Sequence, residues 1–575
     1  MHKLFVCLLM FAVLHGASQS LPPTKFEQTQ GRQTPTYQEA VEWWRKADAA
    51  SPYIQMKEAG PSDAGYPLHL VLVSSDKDFS ITSIKKKKKS IILVNNGIHP
   101  GEPDGIDASM LLLKNILAGG GKLPTNVVLA IIPVYNIGGA LNRSEYYRVD
   151  QNGPEEFGFR GNSQNLDLNR DFIKCDSKEA TSFQKIFQEL DPDVFIDNHV
   201  SNGADYQHVM TLLTTQHNKL GGELGTYINK TFEPALYAAM KTKNWDLVPY
   251  VNHSGETPDK GWAEYWDSPR YSSGYAAQWQ CFGFVPETHM LKPYDQRVNA
   301  TRDLMQCFVE FVAAHSGEIW QIREKARAAL AYQSSFPLAW KWDRSKSVSI
   351  AFKGFEAGHR PSLISGQDRL YYDRARPFTK DVPFYNNYID TLSITKPRAY
   401  VIPQGWWKVI ERLQTNKVKM TRLGRDTLME VEWYNIESTT ASPRAYEGHH
   451  LNTNTKVSTT KSKVSFRKGD YLIQMNQAAN RFLMETLEPQ AEDSYFSWNF
   501  FDPILGQKEG YSDYVFEETA ASYLKANPDI QIRLNARKAS DSSFAKNGRA
   551  QLNFVYQNSP YFEPAYMRYP VYRVL

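Results

Sequence analysis

Ile91-Ile92-Leu93-Val94-Asn95-Asn96-Gly97-Ile98-His99-Pro100-Gly101-Glu102 carries both the fold and the chemistry of this chain. Its first four residues are an unbroken apolar run, the pattern of a strand covered on both faces. The run stops at a polar, glycine-containing turn, and an imidazole and a carboxylate follow three residues apart. Beside Pro100 and Gly101, His99 and Glu102 can turn together onto one Zn²⁺. Open α/β sheets bind their ligands just beyond the carboxyl ends of strands, which is where this pair falls.

Outward from that strand, other short apolar runs have the same character. Leu68–Val73, Val127–Val134, Asp193–Asp197 and Cys281–Pro286 all read as strands. Between them Phe183, Ile186, Phe187 and Leu190 recur at the spacing of one helical face, and Met305, Phe308, Val309 and Val312 repeat it at the start of a helical region ending near Leu330. The expectation is an α/β fold, a mixed, mostly parallel sheet with helices on both faces. His199 follows the Asp193–Asp197 run and Glu287 closes Cys281–Pro286, so both sit at the same edge as His99. Two histidines and one glutamate leave a fourth coordination position open, the arrangement of hydrolytic zinc. An H-x-x-E pair alone is a weak signal. His208 is the one substitute for His199, whereas His253 and His289 read as ordinary structural histidines.

Further landmarks agree. Asn165-Leu166-Asp167-Leu168-Asn169-Arg170 supplies a carboxylate and an Asn-Arg pair, and Arg160 precedes Asn169 by nine positions. In this order (H-x-x-E, Arg, D-x-N-R, a strand leading to His, a strand carrying Glu) residues 40 to 330 resemble the zinc carboxypeptidase family, the funnelins related to pancreatic carboxypeptidases. The chain looks like a secreted, bacterial-type member with a C-terminal extension. The resemblance implies one Zn²⁺ held by His99, Glu102 and His199, with Glu287 as general base and then acid. It implies Arg160 as oxyanion stabiliser, Asn169 and Arg170 as the grip on a peptide's free terminal carboxylate, and Asp167 as hydrogen-bond partner of His99. Two positions depart from the family. Asn136-Ile137-Gly138-Gly139 stands where N-P-D-G is usual, and its glycines are expected to permit a tight turn. The mobile tyrosine is assigned to Tyr271, closer to Glu287 than usual and with Tyr275 in competition. No acid follows Gly274, leaving an apolar or aromatic terminal residue as the expected preference.

Composition narrows the alternatives. A formal net charge of +4 over 575 residues gives no support to nucleic-acid binding, and aromatics at 13% suit an extracellular peptide or glycan binder. Lys85 to Lys89 read as a solvated loop. Residues 1–20, with Lys3, an apolar core from Leu4 to Leu14 and small residues after it, read as a signal peptide, implying a secreted or periplasmic protein. No later apolar run approaches the roughly 18 residues of a transmembrane segment. Cys175, Cys281 and Cys307 lack metal-binding spacing and read as buried thiols. The expected layout is a catalytic domain over 21–335 and a β-rich accessory domain over 336–575. That second region is read as strands around one helix, Trp406–Leu413, with a hairpin at Val464–Ile473 and its most loop-like stretch at Ser438–Ser462. Three functions remain in view: a metallocarboxypeptidase, a related zinc amidohydrolase acting on cell-wall peptides or acyl-amino acids, and a non-catalytic exported binding protein.

Overall fold

Strands form where the apolar runs can be covered on both sides. The computed structural model describes residues 21–118, 123–253 and 256–575; the signal-peptide expectation for 1–20 lies outside them. In chain order the main sheet is built from β1 (Ile54–Pro61), β2 (Pro67–Val73), β3 (Ser90–Asn95), β4 (Val127–Ile132), β5 (Val194–Asp197), β6 (His199–Ser201), β7 (Met210–Thr214), β8 (Val248–Pro249) and β9 (Phe282–His289). Every residue of β3, β4 and β5 is buried. The strand order is β1-β2-β4-β3-β5-β9-β7-β8, with β6 also paired to β9. β4, β3, β5 and β9 run parallel, and antiparallel pairs flank them.

The helices α1 (Asp104–Leu117), α2 (Lys178–Leu190), α3 (Ser272–Gln278) and α4 (Tyr294–Tyr332) accompany this sheet. The stripe from Phe183 to Leu190 is buried on α2 as its spacing required. β9 runs two residues past Glu287, so that residue lies within the strand rather than closing it. Lys85 and Lys86 finish a short helix, and the run is not merely solvated: Lys87 and Lys89 pair with Asp76, and Lys88 lies over the Trp320 ring. Cys175, Cys281 and Cys307 are buried thiols. Among the described residues no helix is long and apolar enough to cross a membrane.

Contacts divide the chain into two units. The first ends at Ala329 and takes in Trp340–Asp390; the second comprises Leu330–Ala339 and Thr391–Leu575. Residue 335, the expected boundary, therefore lies inside a short segment of the second unit, and a hairpin beyond it folds with the first. That hairpin is β10 (Val348–Pro361) and β11 (Asp368–Tyr385). Its Phe352, Val382 and Phe384 share a buried cluster with Tyr206, Val248 and Trp262. Gln207 Nε2 donates to the carbonyls of Gly354 and Phe378, and the Lys353 amide donates to His208 Nε2 at 3.1 Å.

The second unit is β-rich with additional helices. β12 (Ala399–Ile402), β13 (Thr421–Arg422), β14 (Thr427–Ala441), β15 (Asn452–Phe466), β16 (Tyr471–Gln474) and β17 (Tyr572–Val574) form a sheet in the order β13-β16-β12-β17-β14-β15. The expected hairpin at Val464–Ile473 does not form. β15 and β16 are joined by a turn at Gly469 but pair with different neighbours. Most of Ser438–Ser462 is strand, since β14 and β15 pair with each other along most of their length. Helices at Asn480–Leu487, Asp513–Ala526, Pro528–Ser540 and Gly548–Gln557 add to Trp407–Thr415.

Two buried histidines make the first unit sensitive to acid. His208 Nδ1–H donates to the Asp246 carbonyl at 2.9 Å while its Nε2 accepts from Lys353. His289 Nε2–H donates to the Ala204 carbonyl at 2.8 Å and its Nδ1 accepts from Leu291. Burial pushes both imidazoles down to about 4. Above pH 6.5 folded and unfolded chains are both neutral at these sites. Between 6.5 and 4 only the unfolded chain takes up the protons, so stability is lost as pH falls. Linkage gives about 2 kcal/mol per histidine by pH 5. The unfolding midpoint should drop from pH 7.5 to pH 5, and His208→Gln should lessen that drop. An unchanged pH slope in the variant would show that His208 is not responsible.

Candidate active site

Asn95 and Asn96 lock the ends of two parallel strands together. Asn95 Nδ2 donates to Asp197 Oδ1 at 3.0 Å, and Asn198 Nδ2 donates to Asn96 Oδ1 at 2.9 Å. The registered pair Asn95↔Asp197 thus leads β3 and β5 out of the sheet side by side. One chain then turns through His99, whose carbonyl accepts from the Glu102 amide at 2.8 Å. The other enters β6 at His199, which lies opposite Glu287 in β9.

The result is a buried trio. His99, Glu102 and His199 are 2%, 3% and 4% exposed, and one ligand atom from each lies within 4.8 Å of the others. Glu102 Oε2 stands 3.0 Å from His199 Nδ1 and 3.3 Å from His99 Nδ1. Each imidazole is gripped from behind: His99 Nε2 lies 2.9 Å from Asp167 Oδ1, and His199 Nε2 lies 2.9 Å from Asp197 Oδ2. With Nε2–H donated to a carboxylate, each Nδ1 presents a lone pair towards Glu102. Three acceptor atoms facing one another suit a cation between them. His99 Nδ1 is buried without a hydrogen-bond partner, which fits a metal in that place. Two imidazoles and one carboxylate are donors that suit zinc.

The charges around the trio are closely matched. Arg148 Nη1 donates to Glu102 Oε1 at 2.6 Å, Arg160 Nη1 lies 3.5 Å from the same oxygen, and the Val200 amide donates to Oε2 at 3.0 Å. Burial opposes ionisation of Glu102, but the positive charge led by Arg148 holds the carboxyl well below the usual range. Burial likewise opposes ionisation of Asp167, and His99, Arg160 and Arg170 more than offset it. Glu287 differs. Its burial, reinforced by Glu102 and only partly countered by His199 and the arginines, pushes the carboxyl up to about 8.

A cavity of about 300 Å³ opens onto these groups, and Arg160, Asn169, Arg170, Tyr271 and Glu287 all line it. Asp167 stands behind His99, as described. Arg170 stacks on the Tyr271 ring at 4.6 Å, and Asn169 Oδ1 accepts from the Ser272 amide at 3.2 Å. Tyr275 is completely buried among Phe172, Phe183 and Phe187 and does not reach the cavity. His208, tied to Asp246 and Lys353, stands apart from the trio. Asn136 does not open a tight turn. It caps a short helix, Ile137–Leu141, and its Nδ2 donates to the Arg160 carbonyl at 2.9 Å. Gly139 is needed there for closeness: a Cβ would sit 2.4 Å from the Phe159 carbonyl, in the segment that carries Arg160.

Sequence reasoning missed Asp197, Arg148, and Tyr250 and Tyr265, which also line the cavity. Asp197 and His199 lie two residues apart at a strand end, a spacing that carried a readable signal. The other three come from segments with no local pattern.

Residues 40–257 match the sequence profile described as zinc carboxypeptidase. Carboxypeptidase 2 of Trichophyton rubrum is 21% identical over 503 residues, spanning 83% of this chain and 86% of that protein. Its counterpart in Trichophyton equinum is 22% identical over 505 residues with the same coverage. Carboxypeptidase A from Helicoverpa armigera aligns in structure over 49% of this chain and 74% of its own, at 15% identity and a TM-score of 0.37.

Carboxylates that orient metal-binding imidazoles commonly govern affinity by about 10- to 100-fold. Asp197→Ala should therefore weaken zinc binding by about that factor in equilibrium dialysis. Wild-type affinity in the variant would show that His199 needs no such support.

Proposed function

From the premise that residues 40–257 form a zinc carboxypeptidase domain, we propose that the chain removes the carboxyl-terminal residue from peptides. The observation that carries this reading is the set of three mutually facing acceptor atoms, His99 Nδ1, His199 Nδ1 and Glu102 Oε2, at the wall of a cavity also lined by Glu287 and by the Asn169–Arg170 pair. Zinc bound by the trio would polarise the scissile carbonyl and acidify a water.

The remaining steps belong to the chain's own groups. Asn169 and Arg170 hold the substrate's free carboxylate, the guanidinium offering a fork that matches two oxygens. Stacking on Tyr271 keeps the Arg170 plane fixed while that carboxylate arrives. Arg160, held on Asp167 through Nε at 3.0 Å, extends towards Glu102 and presents positive charge to the oxyanion that forms. Glu287 removes a proton from the attacking water and delivers it to the departing amine. The second unit is proposed as an accessory domain.

Glu287→Gln should lower kcat by about 10²- to 10⁴-fold while leaving zinc content at one ion per chain, measured by steady-state assay and elemental analysis. Wild-type turnover in this variant would remove Glu287 from the mechanism. Peptides with free and amidated carboxyl termini provide the second check. Cleavage of the free form alone is expected, and Arg170→Ala should raise KM for it. Equal cleavage of both forms would overturn the exopeptidase reading and favour a related zinc amidohydrolase; cleavage of neither would favour a binding protein.

A further inference from the structure

The inner half of the β10–β11 hairpin is fastened to the first unit. Besides the cluster around Phe352 and the Gln207 bonds, Arg374 Nε donates to Asp205 Oδ2 at 2.6 Å, and the Tyr372 hydroxyl donates to the Glu256 carbonyl at 3.2 Å. Further out the two strands continue as a ribbon, pairing Gly358↔Tyr371, His359↔Leu370, Arg360↔Arg369 and Pro361↔Asp368. The end of the ribbon carries Leu363 and Ile364, which are 95% and 97% exposed. Single exposed aliphatic residues are ordinary, but two adjacent ones at the tip of a projecting hairpin mark a surface that something covers.

The turn at 362–367 is itself well formed. Ser362 Oγ accepts from the Ile364 and Ser365 amides, each at 3.2 Å, and the Ser362 amide donates to the Gln367 carbonyl at 2.7 Å. The Gly366 amide donates to the Ser362 carbonyl at 3.0 Å, at a φ of +71° that glycine adopts readily. The Gln367 amide donates to Ser365 Oγ at 3.3 Å. Most amide hydrogens of the tip are thus satisfied within it, and Pro361 has none. Backbone can enter a poorly hydrated layer only under that condition, because an unpaired amide there is strongly unfavourable.

Two like charges stand behind the tip. Arg360 and Arg369 are exposed and directly opposite each other in the ladder, an unfavourable arrangement by itself. Arg360 lies over the Tyr371 ring at 4.8 Å, and among the described residues neither arginine has an ion-pair partner. Asp368 falls on the other face of the ribbon. Nearer the root the bases are paired: Arg374 with Asp205, Arg376 with Asp373 and Lys380 with Glu356. Uncompensated positive charge is therefore confined to the outer end, about 7–10 Å behind the two aliphatic side chains by strand rise.

We propose that this tip docks the protein on an anionic lipid bilayer. Leu363 and Ile364 enter the boundary between headgroups and acyl chains, while Arg360 and Arg369 meet the negative headgroups. Amphipathic elements lie at that boundary with their apolar face about 5–10 Å deep, matching the separation between aliphatic tip and arginines. The long arginine stems let the guanidinium groups stay among the headgroups. A second copy of this chain is a poorer occupant, since joining tip to tip would gather four uncompensated arginines.

Sedimentation of the zinc-loaded full-length protein with vesicles tests the proposal, using phosphatidylcholine alone or mixed with phosphatidylserine. At low salt, partition onto the mixed vesicles should exceed that onto the neutral ones on the order of 10-fold, and added salt should reduce it. A Leu363→Ser, Ile364→Ser double variant should lose about 10- to 100-fold in partition onto the mixed vesicles. Arg360→Gln with Arg369→Gln should bring the mixed vesicles down to the neutral level. All four side chains are exposed, so both variants should keep the wild-type melting temperature. Absence of sedimentation with the mixed vesicles, or wild-type partition in either variant, would overturn lipid docking. A wild-type dimer in ultracentrifugation that the serine variant converts to monomer would also overturn it, and would assign the tip to a second copy.

Discussion

Two imidazole nitrogens and a carboxylate oxygen, each with a lone pair turned to the same point, do not stay together unaided. The rest of the first unit can be understood as the framework that holds them there. Asp167 and Asp197 fix the imidazoles from behind, and Arg148 with the Val200 amide fixes Glu102. Because Arg148 and Arg160 both face Oε1, Glu102 presents a single oxygen, Oε2, to the histidines. The guanidinium contacts thus decide which edge of the carboxylate faces the centre.

That framework is anchored in the sheet rather than in the loops. Asn95 and Asn96 bond across to Asp197 and Asn198, so the two histidine-bearing segments leave adjacent parallel strands in fixed register. Asp197 serves both arrangements, accepting from Asn95 through Oδ1 and holding His199 through Oδ2. A slip in strand register would therefore disrupt the ligand geometry as well as the pairing.

Much of this is legible in the sequence, for identifiable reasons. β3, β4 and β5 are buried on both faces and so read as unbroken apolar runs. His99, Glu102, His199 and Glu287 were found because they follow or extend such runs. Legibility failed where no face repeats. The end of β14 and most of β15 carry Ser, Thr and Lys with little buried alternation, so Ser438–Ser462 resembles a loop although its threonines and Val457 favour strand. The helices between Asp513 and Ser540 bury few residues each, Phe516 and Ala520 in the first and Ile530 and Leu534 in the second, too sparse a stripe to stand out. Arg148 belongs to an irregular stretch, and its partner Glu102 lies 46 positions away. Asn136 was judged by the turn it should make, whereas its glycines matter through close approach to the Arg160 segment.

Carboxylates near one centre can be given different tasks only if their surroundings differ. Glu102, Asp167 and Asp197 each contact a histidine, and the first two also face arginine. Glu287 is half-buried at the cavity wall; that burial, with Glu102 opposing it and less compensating positive charge, raises its proton affinity. The contrast follows from position on the sheet. Glu102 leaves its strand on a turn and reaches the guanidinium groups, while Glu287 stays inside β9, between β6 and β7, and projects into the cavity from the strand itself. A ligand needs a carboxylate that remains charged, and a proton carrier needs one that can be neutral. The same sheet edge supplies both by letting one acid meet the arginines more closely than the other.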